Sequence, residues 1–252
     1  MKEHLYSKYN GLLMLLLMSV LLVPVCLLST NVDLLSHVSD LTGITYNMLT
    51  NSAGSKGFLF TLIFLTALTF ILRIPKAQWA SRMLQLALIL IIGFASKTGL
   101  KHLTESPRPY TELLTAQLLI PDPGHFYKLD TAQKAAVIQE AQKEVSHWRT
   151  VNWQGEKDFS FPSGHTLFAA ICVAFFGGLF FERKRYALAV GVLAWALAVA
   201  YSRLWLGMHR PADLFGSVLF ITAVYALMPN FTQVGDKLVA KLPERWQHVL
   251  SR

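Results

Sequence analysis

The chain has 252 residues, 53% hydrophobic and only 15% charged, with a mean hydropathy of +0.41. A soluble domain of this size carries about a quarter charged residues, so the composition argues against a soluble enzyme, a disordered tail and a nucleic-acid binder. The formal net charge of +8 comes from Lys and Arg scattered between apolar runs, which is the pattern of membrane anchors rather than of a nucleic-acid patch.

In chain order, six runs lack internal charge: residues 11–29, 57–72, 84–95, 166–181, 186–201 and 214–228. A membrane helix takes about 20 residues. The first run suffices alone, and the shorter ones borrow flanking residues such as Ile74, Trp79, Ser163 and Ser202. Lys2 and Lys8 precede the first run as they would in a signal peptide, but the run exceeds an apolar core of about 7–15 residues and no A-x-A-like site follows. It is expected to be a retained helix. Cys26 and Cys172 both lie in apolar runs and supply neither a disulfide framework nor a zinc spacing.

The prediction is therefore an all-α polytopic membrane protein, a six-helix bundle forming one domain over 1–252, with a partly helical loop domain over about 102–162. In that loop, residues 130–148 are rich in Ala, Gln, Glu and Lys and predict one surface helix. Leu113, Leu114, Leu118, Leu119 and Ile120 form an apolar stretch there, and Trp148 and Trp153 suit either a membrane interface or a small packed cap. Basic residues set the orientation. Lys2 and Lys8, Arg73, Lys76 and Arg82, Arg183, Lys184 and Arg185, and the C-terminal Lys237, Lys241, Arg245 and Arg252 fall in four segments on one side. By the positive-inside rule that side is cytoplasmic, and both termini with it.

Three polar clusters sit beside apolar runs, where charge is expensive and marks function: Lys101 with Arg108-Pro109; Pro162-Ser163-Gly164-His165; and Ser202-Arg203, His209 and Asp213. The topology comes from loop charges alone, yet it puts all three at the non-cytoplasmic ends of the helices. Their chemistry suits a phosphate ester. Arginine forks match phosphate oxygens in pairs and lysine acts as a point charge. Ser163 is a natural N-cap, Gly164 admits an oxygen to the backbone, and the free N–H groups of a helix start favour an anion. Two histidines supply a nucleophile and a proton donor. Pro211 suits a first helical turn, and Asp213, four residues after His209, can hold one ring nitrogen and fix the tautomer. Arg210 reads as an interfacial anchor, and Lys97 and His102 as solvated loop residues. His37, His125 and His147 lie outside the clusters. Glu105, Glu156 and Asp158 lack the spacing of a hard-cation site, so no metal is assigned.

The strings Lys101-x6-Arg108-Pro109, Pro162-Ser163-Gly164-His165 and Ser202-Arg203-x5-His209-x3-Asp213 resemble the three-part signature of the type 2 phosphatidic acid phosphatases, with every motif position filled. The resemblance covers the third to the sixth predicted helix. It implies that His209 attacks phosphorus and becomes a phosphohistidine, that Asp213 orients His209, and that His165 protonates the leaving oxygen and then activates water. It assigns Lys101, Arg108, Arg203, Ser163 and Gly164 to the phosphoryl oxygens. It further implies a magnesium-independent reaction, no cofactor, and a phospholipid or isoprenoid lipid phosphate as substrate in a bacterial inner membrane, with the site facing the periplasm. Phosphatidylglycerophosphate is the leading substrate and undecaprenyl pyrophosphate the alternative; the motifs read only the phosphoryl group. A non-enzymatic anion transporter would explain the arginines but not two histidines joined by an aspartate.

Overall fold

The computed structural model describes residues 2–229 and 231. All of its regular structure is helical among those residues. The basic tail residues Lys237, Lys241, Arg245 and Arg252 lie outside them, as do the side chains of Lys2 and Lys76. Helix α1 (Lys2–Ser29) buries Met14, Leu15, Met18 and Leu22 against the bundle and leaves Leu16, Leu27 and Leu28 bare. Next come α2 (Asp40–Ala53) and α3 (Phe58–Thr69), the latter continued by a tight turn over Phe70–Leu72. The long α4 is Lys76–Thr104.

Four short helices follow: α5 (Pro109–Ala116), α6 (His125–Lys128), α7 (Thr131–Ala141) and α8 (His147–Gly155). Then α9 (Gly164–Cys172) runs through a π-helical turn, Val173–Gly177, into α10 (Gly178–Glu182). Finally α11 (Tyr186–Trp205) and α12 (Pro211–Leu227) complete the bundle.

The six predicted runs are helical but for a residue at an end, yet they are not six single helices of equal span: the second continues from α3 into the turn Phe70–Leu72 and the fourth runs through α9, the π-helical turn and α10. Four segments are long and apolar enough to cross a membrane: Lys8–Ser29, Gln78–Ala116, Gly164–Glu182 and Tyr186–Trp205. The second run is half of a bent pair, Asp40–Ala53 with Phe58–Leu72, which turns by 71° and brings the count to five if taken as one span. The last apolar helix, α12, has 17 residues, about 25 Å at 1.5 Å per residue and short of a hydrocarbon core of about 30 Å. Phe60, Phe64, Ile91 and Leu219 stand exposed; a protein in water does not leave such faces bare. These faces belong to lipid, and the chain is an integral membrane protein.

The segment Gly164–Glu182 is apolar on every side and therefore takes the centre, where 83% of it is buried. It packs against α1, α4, α11 and α12. Small residues let these helices close up, as membrane helices require. A Cβ on Gly178 would lie 2.7 Å from the Cα of Gly11, and one on Gly11 would strike the Tyr225 ring.

A second core lies beyond one end of the bundle. Tyr110, Phe126, Ile138, Trp153 and Leu206 are buried together there under α5–α8. The single helix expected over 130–148 is instead α7 and the start of α8, parted at residues 142–146. An Asp130–Gln133 capping box starts α7, and Ser146 caps α8. Of the two readings, Trp153 takes the packed cap: it is fully buried, stacks on Tyr110 at 4.9 Å and donates Nε1–H to the Leu206 carbonyl at 2.7 Å. Trp148 lies over Gly43 and donates to Asp40 Oδ1 at 3.1 Å. The apolar stretch divides, with Leu114 and Ile120 in the cap core and Leu118 90% exposed at φ 58°.

Replacing Gly178 by Ala would set a methyl against the backbone of α1 rather than against a side chain that can move. Gly178→Ala is expected to lower stability by about 1–3 kcal/mol, the usual penalty of overpacking, read as the unfolding midpoint in detergent. An unchanged midpoint would show that α1 is not held at this contact.

Candidate active site

The three motif clusters meet at the seam between the two cores. Lys101 lies in the last turn of α4, which ends at Glu105 with φ 42°. Arg108 then sits in extended conformation before α5, whose first residue is Pro109. Ser163 caps α9, its hydroxyl accepting from the Thr166 N–H at 3.3 Å. The first-turn N–H groups of α9, at Gly164 and His165, have no acceptor within the helix. Arg203 is in the last turn of α11. Gly207, at φ 65°, reverses the chain, and His209 follows just before Pro211 opens α12.

His209 is 3% exposed. Its Nδ1 is 3.3 Å from Asp213 Oδ2, one helical turn on. The same oxygen accepts the Arg210 N–H at 2.8 Å and a hydrogen bond from Ser160 Oγ, which also lies 3.3 Å from His209 Nδ1. With its proton on Nδ1 toward Asp213, the ring presents an Nε2 lone pair, and that nitrogen is 3.4 Å from Arg108 Nη1. Burial, aided by Arg108 and Arg203, pushes the imidazole down to about 3 against the pull of Asp213, so at neutral pH the ring is uncharged.

The cations are wired to two carboxylates. Arg108 is fully buried, donating Nε–H to the Asp158 carbonyl at 2.8 Å and Nη2–H to Asp158 Oδ1 at 2.6 Å and Glu156 Oε2 at 3.2 Å. Lys101 pairs with Asp158 Oδ2 at 3.1 Å and donates to the Phe159 carbonyl. Arg203, also fully buried, holds both Glu156 oxygens at 2.9 Å through Nη2 and the Thr50 hydroxyl at 2.7 Å through Nη1. Its Nε has no hydrogen-bond partner among the described residues. His165 Nε2 is 3.7 Å from Glu156 Oε1. Burial works to raise both acids, but Arg203, His165 and Arg108 hold Glu156 well below the usual carboxylate range, and Arg108 and Lys101 do the same for Asp158.

One carboxylate thus touches two arginines and one histidine, and one of those arginines touches the other histidine. Beside them opens a cavity of about 290 Å³ whose wall includes Lys97, Lys101, Glu156, Gly164 and His165.

All eight site residues named from sequence share this network or its helix ends. Lys97 is not a solvated loop residue: it lies within α4, its Nζ 3.2 Å from where a Cβ on Gly164 would stand, and lines the cavity. Arg210 is not a lipid anchor; it bonds to the Pro107 carbonyl and Glu112. His102 is exposed and lines nothing here. Among the described residues no group of three or more His, Cys, Asp and Glu side chains is arranged around a metal position. Sequence reasoning weighed Glu156 and Asp158 only as metal ligands and passed over Ser160. Their signal was alternation: the three occupy every second position of the segment joining α8 to α9, and an extended chain turns such positions one way.

Buried arginines, a lysine and a carboxylate-backed imidazole at the end of an apolar bundle suit phosphoryl transfer at a membrane. The PAP2 superfamily profile matches residues 82–235, and the chain belongs to that superfamily of lipid phosphatases. It is 34% identical over 183 residues to phosphatidylglycerophosphatase B of Haemophilus influenzae, covering 69% of this chain and 73% of the relative. It is 35% identical over 145 residues to the Escherichia coli protein of the same name, covering 56% of this chain and 57% of that one.

A neutral His209 requires that it not titrate near 6.5. In 15N-histidine NMR of the apo-protein in detergent, its ring is expected to stay the neutral Nδ1–H tautomer from pH 8 to pH 5, since protonation sets in only as pH falls toward about 3. A midpoint near 6.5 would contradict the burial and wiring described.

Proposed function

We propose that the protein removes the terminal phosphate of phosphatidylglycerophosphate, giving phosphatidylglycerol, in a bacterial inner membrane. The observation that carries this reading is the His209 ring, fixed by Asp213 at one nitrogen and facing Arg108 with the other. The substrate comes from the names of the relatives. The whole chain acts as one domain, with its chemistry between residues 101 and 213 and a cap over about 102–162. The distribution of Lys and Arg supports both termini in the cytoplasm and the site on the periplasmic side.

The phosphate enters as a dianion and takes over the arginine contacts of Glu156. Lys101, Arg108, Arg203 and the N–H groups at Gly164 and His165 hold its oxygens and the charge that grows on them; Ser163, whose N–H donates to the Asp213 carbonyl at 3.4 Å, sets the helix start that presents them. His209 Nε2 attacks phosphorus. The P–O bond to the lipid breaks, and His165 gives its proton to the departing alkoxide, releasing phosphatidylglycerol. The phosphorylated ring is cationic, and Asp213 stabilises it across Nδ1–H. His165, now neutral, takes a proton from water; the hydroxide attacks phosphorus, the P–N bond breaks, and inorganic phosphate leaves. The transferred charge rests on side chains and backbone, so no metal is assigned a step.

Purified protein is expected to release phosphate from phosphatidylglycerophosphate in detergent with excess chelator present; a strict magnesium requirement would overturn the mechanism. His209→Ala is expected to abolish turnover and the acid-labile phosphoenzyme. Asp213→Asn is expected to slow turnover by about a hundredfold or more, as when a carboxylate that fixes an imidazole tautomer is lost. A wild-type rate for His209→Ala would remove the nucleophile. Side-by-side kcat/KM on phosphatidylglycerophosphate, phosphatidic acid and undecaprenyl pyrophosphate should favour the first; preference for the isoprenoid would reassign the substrate.

A further inference from the structure

None of the three motifs includes α2, yet α2 ends inside the site. Its final turns belong to the bent pair, whose break at residues 54–57 places Ala53, Gly54 and Ser55 on the cavity wall beside His165. We propose that the C-terminal end of α2 is a positioning element of the active site, in which the Thr50 hydroxyl fixes the Arg203 guanidinium and Gly54 seats the His165 ring.

Thr50 is 1% exposed and Arg203 fully buried, and the bond between them is 2.7 Å. Arg203 has two side-chain anchors, Glu156 on Nη2 and Thr50 on Nη1. They are not equivalent. A phosphate dianion competes with a carboxylate for the same arginine face, whereas a neutral hydroxyl on the other nitrogen has no charge to be displaced. Thr50 therefore keeps the guanidinium plane in place while its anionic partner changes, which is the pre-organisation a developing charge needs. The unpartnered Nε of Arg203 leaves one more donor for a phosphoryl oxygen.

Gly54 acts by absence. Its φ of −92° and ψ of 179° suit any residue, so the backbone does not demand glycine. Space does: a Cβ there would lie 2.6 Å from His165 Nε2. The ring of the proposed proton donor thus lies against the backbone at the end of α2.

The platform is itself held. Tyr46 stacks on Trp205 at 4.4 Å, Trp195 Nε1 donates to Ser52 Oγ at 2.9 Å, and Thr61 bonds the Ser52 carbonyl at 2.7 Å across the break. Tyr46 and Trp195 tie α2 to α11, the helix that carries Arg203.

This inference rests on the phosphatase reading, and the experiment separates the two. Thr50→Val, Thr50→Ser, Gly54→Ala and His209→Ala are purified in detergent and checked for a wild-type melting midpoint. Then kcat and KM on phosphatidylglycerophosphate and the inhibition constant of inorganic phosphate are measured. Thr50→Val is expected to lose about ten- to a hundredfold in kcat/KM, the usual weight of one hydrogen bond to a charged group, and to bind inorganic phosphate correspondingly more weakly, while Thr50→Ser keeps both near wild type. Gly54→Ala is expected to lower kcat by displacing the proton donor while leaving phosphate inhibition unchanged. Wild-type constants in folded Thr50→Val, or equal loss in Thr50→Ser, would overturn the role of Thr50. If Thr50→Val does not fold, Thr50→Ser and Gly54→Ala decide: an impaired Thr50→Ser or a wild-type kcat in Gly54→Ala overturns the proposal. Activity surviving in His209→Ala would instead overturn the phosphatase reading itself.

Discussion

Burying Arg108 and Arg203 completely, with Lys101 6% exposed, is the constraint around which this end of the molecule is organised. Each ion taken out of water costs several kcal/mol unless it is paired and hydrogen-bonded. The protein meets that demand with Glu156 and Asp158, with backbone carbonyls at Asp158, Phe159 and Met208, and with Thr50. Three cations against the two carboxylates that touch them leave a positive excess, and an incoming phosphate is what that excess suits. The arrangement satisfies the ions in the resting protein and still leaves them electrostatically poised for an anion.

The same constraint explains where the site is. Within the lipid-facing bundle such ions would have neither water nor enough polar backbone nearby. Beyond the cap they would be screened and weak. At the seam, the ends of α4, α9, α11 and α12 bring side chains and unpaired N–H groups, and the segment between α8 and α9 brings the carboxylates. The break in the α2–α3 pair belongs to this logic, since it falls at the same seam and lines the cavity beside His165.

Much of the site was legible because local rules decide its parts. Asp213 reaches His209 since four residues span one turn between a helix start and the residue before it, and Ser163 caps α9 because its hydroxyl has an orphan N–H to meet. Lys97 was misjudged because helix length, not composition, decides whether it faces solvent: α4 continues to Thr104, carrying Lys97 to the cavity. Trp153 was left open between two roles for a different reason. An indole serves a membrane interface or a buried carbonyl equally well, and only the packing of α8 on the turn after α11 chose the second. Glu156 and Asp158 were noticed but given no role, since a carboxylate's role depends on which cation lies across from it.

The helical class, the apolar runs and the gathering of three polar clusters at one end follow from residue order alone, since charge is excluded from long apolar segments and helix-end chemistry is local. That the second run is half of a bent pair, that the cap has its own core, and that Thr50, Gly54, Ser160, Glu156 and Asp158 complete the site emerge from the folded arrangement. Those residues act through contacts between segments far apart in the chain. A hydrogen bond between Thr50 and Arg203, 153 residues apart, leaves no periodicity or spacing for the sequence to display.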